Sequence, residues 1–365
     1  MPEILSPCWY FLMKTTACSP DQMMQFNLKD SLKYLISAGI AVVLFWYLYR
    51  DQNAEELLGL FARADPFWLA ISVGIGLLSH FTRAWRWVLA LKPLGYRASR
   101  FRAFLAVMVG YVVNLALPRA GEFVRCGLLH KTDNVPVNHS FGALIAERAI
   151  DLVMLLTLIA VTFALEFGRI GDFVFGEVMA SSSLLFGKVM LLGLVAATGF
   201  LILFWLYKLR GRFRKHFLYR KAKEFFLGIK DGLLSIKDLS RAEQWLFVGL
   251  SAGIWVMYYL MSWVLFLSMP ETARLGFMAA LIVLAMASVG MAIPTPGGTG
   301  SYHFFVSYSL SLYGLGQAVS RNFAFMMHGL QTLALLFFGV ICLVIVTAWL
   351  GNKKHKSRQV TVPND

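Results

Sequence analysis

Nine long apolar runs divide the chain, and they restrict its fold more than any other feature. Six of them reach the roughly 18 residues that a helix needs to cross the hydrocarbon core of a bilayer. Charged residues make up only 15% of the 365 residues, against about a quarter in soluble domains. The pattern predicts an all-α polytopic membrane protein. The runs are 31–49, 66–91, 101–117, 139–165, 183–207, 244–269, 277–293, 301–316 and 322–350.

The linkers between the runs carry very different charges, and this predicts the orientation. Linker 83–102 has six basic residues and no acidic one, and linker 208–241 has eleven basic and three acidic residues. Because Lys and Arg accumulate on the cytoplasmic side, we expect both linkers and the basic tail 351–365 to be cytoplasmic. Segments 50–65 and 166–188 are acidic on balance and are expected to face out. Both termini would then lie in the cytoplasm.

Three of the runs, 101–117, 277–293 and 301–316, cannot be simple spans in this arrangement. Run 101–117 starts in the cytoplasm, but the linker after it is also basic, and run 139–165 must end outside. We therefore expect 101–117 to enter from the cytoplasm, break at LPRAG and return as a re-entrant hairpin. The same reasoning makes 277–316, broken at IPTPGGTG, a hairpin that enters from outside. The prediction is about six full transmembrane helices plus two re-entrant helical hairpins.

The two breaks resemble each other, which suggests an inverted repeat. ALPRAG at 116–121 and AIPTPG at 292–297 each have a proline after an alanine and an apolar residue, and each ends in glycine. The predicted transmembrane domain, 31–350, would contain two halves, 66–165 and 244–350. Paired broken segments of this kind are the best sequence indication of a transport site near the middle of the bilayer.

Two segments outside this repeat have simpler interpretations. Residues 1–30 are expected to be a disordered N-terminal extension, with Met23 or Met24 as an alternative start. Linker 208–241 alternates basic with apolar residues at helical spacing, which favours an amphipathic helix on an anionic cytoplasmic leaflet. Binding of a partner protein is the alternative for this linker.

The first break combines a helix-breaking pair with positive charge. Pro118 and Gly121 interrupt the helix, and a helix that restarts at Gly121 would present free N–H groups at the break. Together with Arg119 and Arg125 these groups would suit an anion such as a lipid phosphate. The alternative is that 118–131 is an ordinary solvated cytoplasmic turn.

Two neighbouring polar residues complete the predicted first site. Asn114 lies one turn before the break, where its side chain could hydrogen-bond the freed carbonyl groups. Glu122 would neutralise part of the positive charge while the site is empty. Both are therefore candidate substrate-binding residues.

A second charged cluster, AERAID, lies inside the run 139–165. Glu147 and Asp151 are four residues apart and share a helix face, and Arg148 lies three before Asp151. Charges inside a spanning helix cost a few kcal/mol each, so they normally face the bundle interior and find partners. They could bind a headgroup amine, relay protons, or pair with Arg119 or Arg125. A fixed structural ion-pair cluster is the alternative.

The second break, IPTPGGTGSYHF, is rich in glycine and is predicted to be the tip of the external hairpin. Its backbone amides could contact a ligand, and His303 could titrate near neutral pH and control movement. A hydrogen-bonded packing role is the alternative for His303. The predicted hinge residues are Pro294, Pro296 and Gly300, and the predicted contact residues are Gly297, Gly298 and His303.

A basic-aromatic segment, SHFTRAWRW, closes the run 66–91. Trp85 and Trp87 are typical of a membrane-interface belt, and Arg83 and Arg86 could reach anionic headgroups by extending along the interface. We expect an anchoring role for this segment, with lipid feeding toward the hairpin as the alternative.

Three motifs in this order resemble a known family. They are N-x-x-L-P-R-A-G-E-x-x-R at 114–125, E-R-x-x-D at 147–151 and P-T-P-G-G-T-G at 294–300. Together they resemble the lysylphosphatidylglycerol synthase transmembrane region, the flippase-like domain of the multiple peptide resistance factor and of stand-alone bacterial proteins. The resemblance implies a bacterial inner-membrane domain that moves phospholipids between leaflets. It also implies a functional polar set of Arg119, Glu122, Arg125, Glu147, Arg148 and Asp151.

This chain departs from the full synthase in two ways. Only about 15 residues follow the last run, so we expect no soluble synthase domain and no lysyl-lipid synthesis. Many relatives also have a glutamate where this chain has His303.

The function expected from these features is a lipid translocase that handles anionic headgroups in a charged cleft between the hairpins. One alternative is a non-catalytic membrane partner of an envelope lipid or glycan synthesis system. The other is an intramembrane lipid-modifying enzyme, for which only Glu147, Asp151 and His303 are candidates. We expect no catalytic residue, cofactor, metal or nucleic acid, because the cysteines lack ligand spacing and the basic residues concentrate in alternate linkers. A homodimer and a separately encoded synthesis enzyme remain open as protein partners.

Overall fold

The computed structural model describes residues 61–117, 119–167, 230–232, 234–293 and 295–359, together with positions 59 and 227. This part of the chain is helical and contains no β-strand, so the predicted all-α class is confirmed for it. Short 3₁₀ turns cover 92–94, 235–238 and 296–298. The α-helices are α1 (Pro66–Leu91), α2 (Arg100–Ala116), α3 (Ala120–Asp133), α4 (Val137–Leu165), α5 (Arg241–Phe266), α6 (Phe277–Ala292), α7 (Ser301–Ser311) and α8 (Gln317–Gln359).

Four of the described helices, α1, α4, α5 and α8, are long and apolar enough to cross a membrane. Their length and composition agree with the predicted multi-pass membrane protein. The predicted spans 31–49 and 183–207, the extension 1–30 and most of the linker 208–241 lie outside the described residues. The count of six spans, with two re-entrant hairpins, stays a prediction.

Helices α1 and α5 pack side by side in opposite directions. The amide of Asp65, just before α1, donates to the carbonyl of Ser268, just after α5, at 2.8 Å. At the other end Lys92 forms an ion pair with Glu243. Both helices begin at side-chain caps: Asp65 accepts from an amide in the first turn of α1, and Ser240 forms a capping box with Glu243.

Helices α2 and α3 form an antiparallel hairpin around a linker of three residues. Arg102, near the start of α2, donates to Asp133, at the end of α3, at 2.6 Å. Near the break the two backbones almost touch, because a Cβ atom built on Gly121 would lie 1.8 Å from the carbonyl oxygen of Gly110. Small residues permit such close helix contact in membranes. The sequence therefore specifies this hairpin by two glycines as well as by the break.

Helices α6 and α7 form a second antiparallel hairpin around a longer linker, 293–300. The hydroxyl of Ser301 donates to the carbonyl of Gly290 at 2.8 Å. A Cβ atom on Gly290 would lie 2.8 Å from the Cα of Tyr302, so the two arms again cross at a small residue. The 3₁₀ turn 296–298 at the tip packs against α2. The two hairpins therefore meet near their breaks.

The two halves of the described chain have matching helix orders. In each half a long helix is followed by a hairpin and then by another long helix. Glu122 contacts Arg148 in the first half. The residues 180 positions later, Tyr302 and His328, also contact each other, through stacked rings. The first helices of the two halves, α1 and α5, are antiparallel, and the inverted repeat stays a prediction. The motifs 116–121 and 292–297 occupy equivalent positions as far as the helix break. After the break their positions differ, because the linker of the second hairpin is longer than that of the first.

We predict that Gly121→Ala destabilises the first hairpin by about 2–3 kcal/mol, because its methyl group would overlap the backbone of Gly110. Gly127→Ala, on the same helix, is the matched control. No atom lies within 4 Å of its added Cβ, and alanine favours a helix, so stability should stay equal or rise slightly. Thermal unfolding of the purified protein in detergent measures both. Equal midpoints for the two variants would contradict the close crossing.

Candidate functional site

In the described part of the chain, seven charged side chains from three helices form one connected network. They come from α1, from the second arm of the first hairpin and from the middle of α4. We call five of them the inner core and the other two the outer pair. The inner core is Arg83, Arg86, Arg125, Glu147 and Asp151, and the outer pair is Glu122 and Arg148.

The inner core joins both carboxylates of α4 to arginines of α1 and α3. Arg125 donates to Glu147 at 2.8 Å, and the Nε atom of Arg86 lies 3.5 Å from the same carboxylate. Arg83 and Arg86 approach the two oxygens of Asp151 at 2.7 and 2.8 Å. The side chain of Glu147 is 1% exposed and that of Arg86 is fully buried. The charges therefore stabilise one another out of contact with bulk water.

The outer pair connects the inner core to the surface. Arg148 lies 2.9 Å from Glu122 and 3.8 Å from Asp151. Its side chain is 39% exposed and that of Glu122 is 20% exposed. Exposure therefore rises from the inner core toward the outer pair, so the outer pair is the more exposed side of the network.

Helix periodicity explains why these residues meet. Glu147 and Asp151 are one turn apart on α4, and Arg83 and Arg86 are three residues apart on α1, so each pair shares a helix face. Helix α5 completes the surroundings: Ser251 accepts from Arg86 at 3.0 Å, and Tyr258 accepts from Arg83 at 2.9 Å.

Aromatic rings cover the flat faces of two of these arginines. The guanidinium of Arg125 lies 4.4 Å from the ring centre of Trp87, and that of Arg86 lies 5.7 Å from Phe247. Stacking leaves the edges of a guanidinium group, which carry its N–H donors, available for oxygen acceptors. The arrangement is therefore suited to binding an oxyanion.

The expected interface role of Arg83 and Arg86 is wrong. Both side chains are almost completely buried, and Trp87 is also buried, donating to the carbonyl of Ser140 at 3.1 Å. The helix end that carries them packs against α4 and α5 instead of facing headgroups. Two arginines spaced three apart inside an apolar run were the signal, since buried charges in membrane helices face the bundle. Nothing in the sequence indicated that Ser251 and Tyr258 accept hydrogen bonds from these arginines.

At the first break the structure changes three details of the prediction. Helix α3 restarts at Ala120, one residue earlier than expected. The side-chain oxygen of Asn114 accepts from the amide of Gly121 at 2.8 Å, so it satisfies a freed donor and not a freed carbonyl. Arg119 caps the helix in the left-handed region, with φ 68°, and is exposed. Pro118 lies outside the described residues.

Arg119 is not brought together with the rest of its predicted set. Among the described residues it makes no ion pair with Glu147 or with any other carboxylate, whereas Arg125 does. Arg119 lies in the turn itself, while Glu122 and Arg125 are three residues apart and share a face of α3. It is therefore an exposed residue of the turn and not a member of the buried network.

The second break forms a separate, uncharged cluster. Gly297, Gly298 and Gly300 all have positive φ, which explains the choice of glycine. The prediction that the backbone amides of this break are free is partly wrong. The amide of Gly298 donates to the carbonyl of Thr295 at 3.1 Å, and that of Gly300 donates to the ring of His303 at 3.3 Å. Pro294 and the side chain of Pro296 lie outside the described residues.

His303 is buried in this cluster and does not reach the charged network. Its ring centre lies 4.0 Å from that of Phe325 and 4.8 Å from that of His328. His328, on α8, donates to the carbonyl of Gly297 at 2.8 Å. The cluster therefore fastens the tip of the second hairpin to the last helix. The described residues contain no group of three or more His, Cys, Asp or Glu side chains that could hold a metal.

Comparison with known proteins identifies relatives along most of the chain. The family model for the lysylphosphatidylglycerol synthase TM region matches residues 34–339. A UPF0104 membrane protein of Methanocaldococcus jannaschii is 22% identical over 343 residues, which cover 92% of this chain and 100% of that protein. Another, from Methanothermobacter thermautotrophicus, is 20% identical over 305 residues, or 78% of this chain and 89% of that protein.

One further relative matches only part of the chain and has a name of a different kind. The glycosyltransferase AglD of Haloferax volcanii is 32% identical over 107 residues, which cover 29% of this chain and only 17% of AglD. No solved structure shows significant similarity to the chain.

We predict that Glu147→Gln lowers stability by about 3–5 kcal/mol, because it leaves Arg86 and Arg125 buried without their shared carboxylate. Adding Arg125→Gln should recover part of this loss by restoring the original net charge. Lys92→Gln is the control. Its side chain is 65% exposed, so breaking its pair with Glu243 should change stability by at most about 1 kcal/mol.

Thermal unfolding in detergent measures this series, with the wild-type chain as the reference. A double variant less stable than Glu147→Gln alone would show that Glu147 and Arg125 do not stabilise each other.

Proposed function

This chain belongs to the lysylphosphatidylglycerol synthase transmembrane-region family, and from that premise we propose that it is a lipid translocase of the flippase or scramblase type. Phospholipid headgroups would pass through a charged cleft between the two hairpins, while their acyl chains stay in the bilayer. The chain would perform no covalent chemistry and need no cofactor.

The observation that carries the proposal is the buried charged network beside the first break. Placing ionised residues in membrane helices costs free energy, and such residues usually mark a pathway for a polar substrate. A purely structural bundle could use apolar packing here at equal or greater stability. Broken helices supply the second support, because irregular backbone at membrane depth is found where it is buried in protein or lines a watery cavity.

The exposure gradient suggests a route for the headgroup. Arg119 is exposed at the turn, the outer pair is partly exposed, and the inner core lies behind it. An anionic headgroup would meet Arg119 first and then compete with Glu122 for Arg148. Beyond the outer pair it would reach the guanidinium groups of the inner core.

We further propose a placement in the membrane. The chain would lie in a bacterial cell membrane with both termini in the cytoplasm and with six full spans. The first hairpin would enter from the cytoplasm and the second from the opposite side. The antiparallel packing of α1 with α5 and the matching helix orders support this relation of the two halves.

The partial similarity to AglD favours a second candidate function. A segment shared with a protein named as a glycosyltransferase would suit a non-catalytic membrane partner of a glycan or lipid synthesis system. Such a partner would co-purify with a separately encoded synthesis enzyme from its own membrane and would exchange no lipid alone. Lipid exchange by the isolated chain separates the two candidates.

We predict that the purified chain, reconstituted in liposomes with a fluorescent headgroup-labelled phosphatidylglycerol, makes inner-leaflet label accessible to an external quencher. Asp151→Asn and Arg125→Ala should slow this exchange about tenfold or more, because each removes a charge from the inner core. Lys92→Ala, at an exposed pair remote from the network, should exchange like the wild-type chain.

Size-exclusion chromatography and equal incorporation into liposomes must first show that each variant is folded. Exchange no faster than in protein-free liposomes would remove the translocase proposal. Headgroup chemistry found by mass spectrometry of the same lipids would favour the enzyme alternative.

A further inference from the structure

The inner core of the network contains more positive than negative charge. It has three guanidinium groups and two carboxylates, all from side chains that are at most 13% exposed. The outer pair adds one charge of each sign, so it leaves the difference unchanged. A buried net charge is costly in a low-dielectric environment. The described residues therefore leave one positive charge to be balanced.

Unused hydrogen-bond donors lie in the same place. Three buried arginine nitrogens have no hydrogen-bond acceptor among the described residues: Nε of Arg83, Nη2 of Arg86 and Nε of Arg125. The Nη2 atom carries two hydrogens, so four N–H groups are involved. The remaining carboxylate oxygens, Oε1 of Glu147 and Oδ1 of Asp151, already face Arg86 at 3.5 and 2.8 Å. Donors still outnumber acceptors, so the missing component is an acceptor and an anion.

We propose that the inner core binds the phosphodiester group of a lipid that carries a single negative charge. This inference rests on the translocase function and names its substrate class. A phosphodiester has one negative charge and two free oxygens, so it would balance the excess charge and accept from more than one guanidinium. A phosphomonoester, with nearly two charges, would overcompensate. The outer pair must open to admit the group, because the inner core is closed to solvent.

Ser251 offers a direct test of the charge deficit. Its hydroxyl is buried and accepts from Arg86, so Ser251→Asp places a carboxylate beside the excess charge. Ser251→Asn has nearly the same size without the charge. We predict that Ser251→Asp unfolds at least about 3 °C above Ser251→Asn in lipid-free detergent, a shift expected for about 1 kcal/mol.

Ser262 provides the matched control pair. It is buried on the same helix, and its hydroxyl donates to the carbonyl of Tyr258 without contacting an arginine of the inner core. Here the aspartate variant should unfold below the asparagine variant, because an unpaired buried carboxylate is unfavourable. Ser251→Asp that is no more stable than Ser251→Asn would overturn the charge deficit.

Short-chain lipids test the ligand with the wild-type chain, so the proposal stays testable if a Ser251 variant does not fold. Dihexanoyl phosphatidylglycerol should raise the unfolding midpoint by about 3 °C or more at concentrations where dihexanoylglycerol and inorganic phosphate do not. Dihexanoyl phosphatidic acid at pH 8.5 should give a smaller shift. The phosphatidylglycerol shift should shrink in Ser251→Asp relative to Ser251→Asn.

Each alternative outcome has a distinct meaning. Equal shifts with inorganic phosphate would show a general anion site and overturn the headgroup assignment. Equal or larger shifts with phosphatidic acid would overturn the single-charge rule. A third outcome is that the chain exchanges lipid in liposomes while Ser251→Asp is no more stable than Ser251→Asn. That combination would leave the translocase function intact and remove only this inference.

Discussion

The structure depends on keeping ionised side chains buried inside an apolar bundle. Arginine and carboxylate groups can be taken out of water only when partners of opposite charge meet them at close range. Glu147 and Asp151 meet this condition by facing α1 and α3 at once. The network therefore fixes how three helices pack, and it does so with residues that an apolar core would not need. That excess of polarity is the physical reason to expect a polar substrate.

The first hairpin positions one arginine of this network. Close backbone contact at Gly110 and Gly121 lets α3 fold back along α2, which brings Arg125 against α4. The second hairpin has the same form but ends in a neutral cluster around His303 and His328. The two halves thus share a framework and differ in chemistry, with charge concentrated in the first half.

The sequence predicted the α-helical class, both breaks and the shared helix face of Glu147 and Asp151, and it left the pairing of this cluster with Arg125 as one of several alternatives. These follow from run length, proline and glycine positions, and i, i+4 spacing, which are local properties. It misplaced Arg83 and Arg86, because an arginine near the end of an apolar run can extend to the interface or face a neighbouring helix. Which occurs depends on the packing of α4 and α5, and a single sequence does not specify that. The pairing of Arg119 with a carboxylate of α4, which the sequence left open, is not found among the described residues, because Arg119 lies in the turn itself.

The proposed headgroup route requires the two hairpins to enter the membrane from opposite faces, with the charged network beside the break of the first hairpin. Single cysteines at Lys131 and Gly316, both exposed at the open ends of their hairpins, test it most directly in sealed right-side-out vesicles. With the unsubstituted chain as background, an impermeant thiol reagent should label Gly316→Cys from outside and should label Lys131→Cys only after the membrane is permeabilised. Labelling of both cysteines from the same side would contradict the opposed hairpins and the cleft between them.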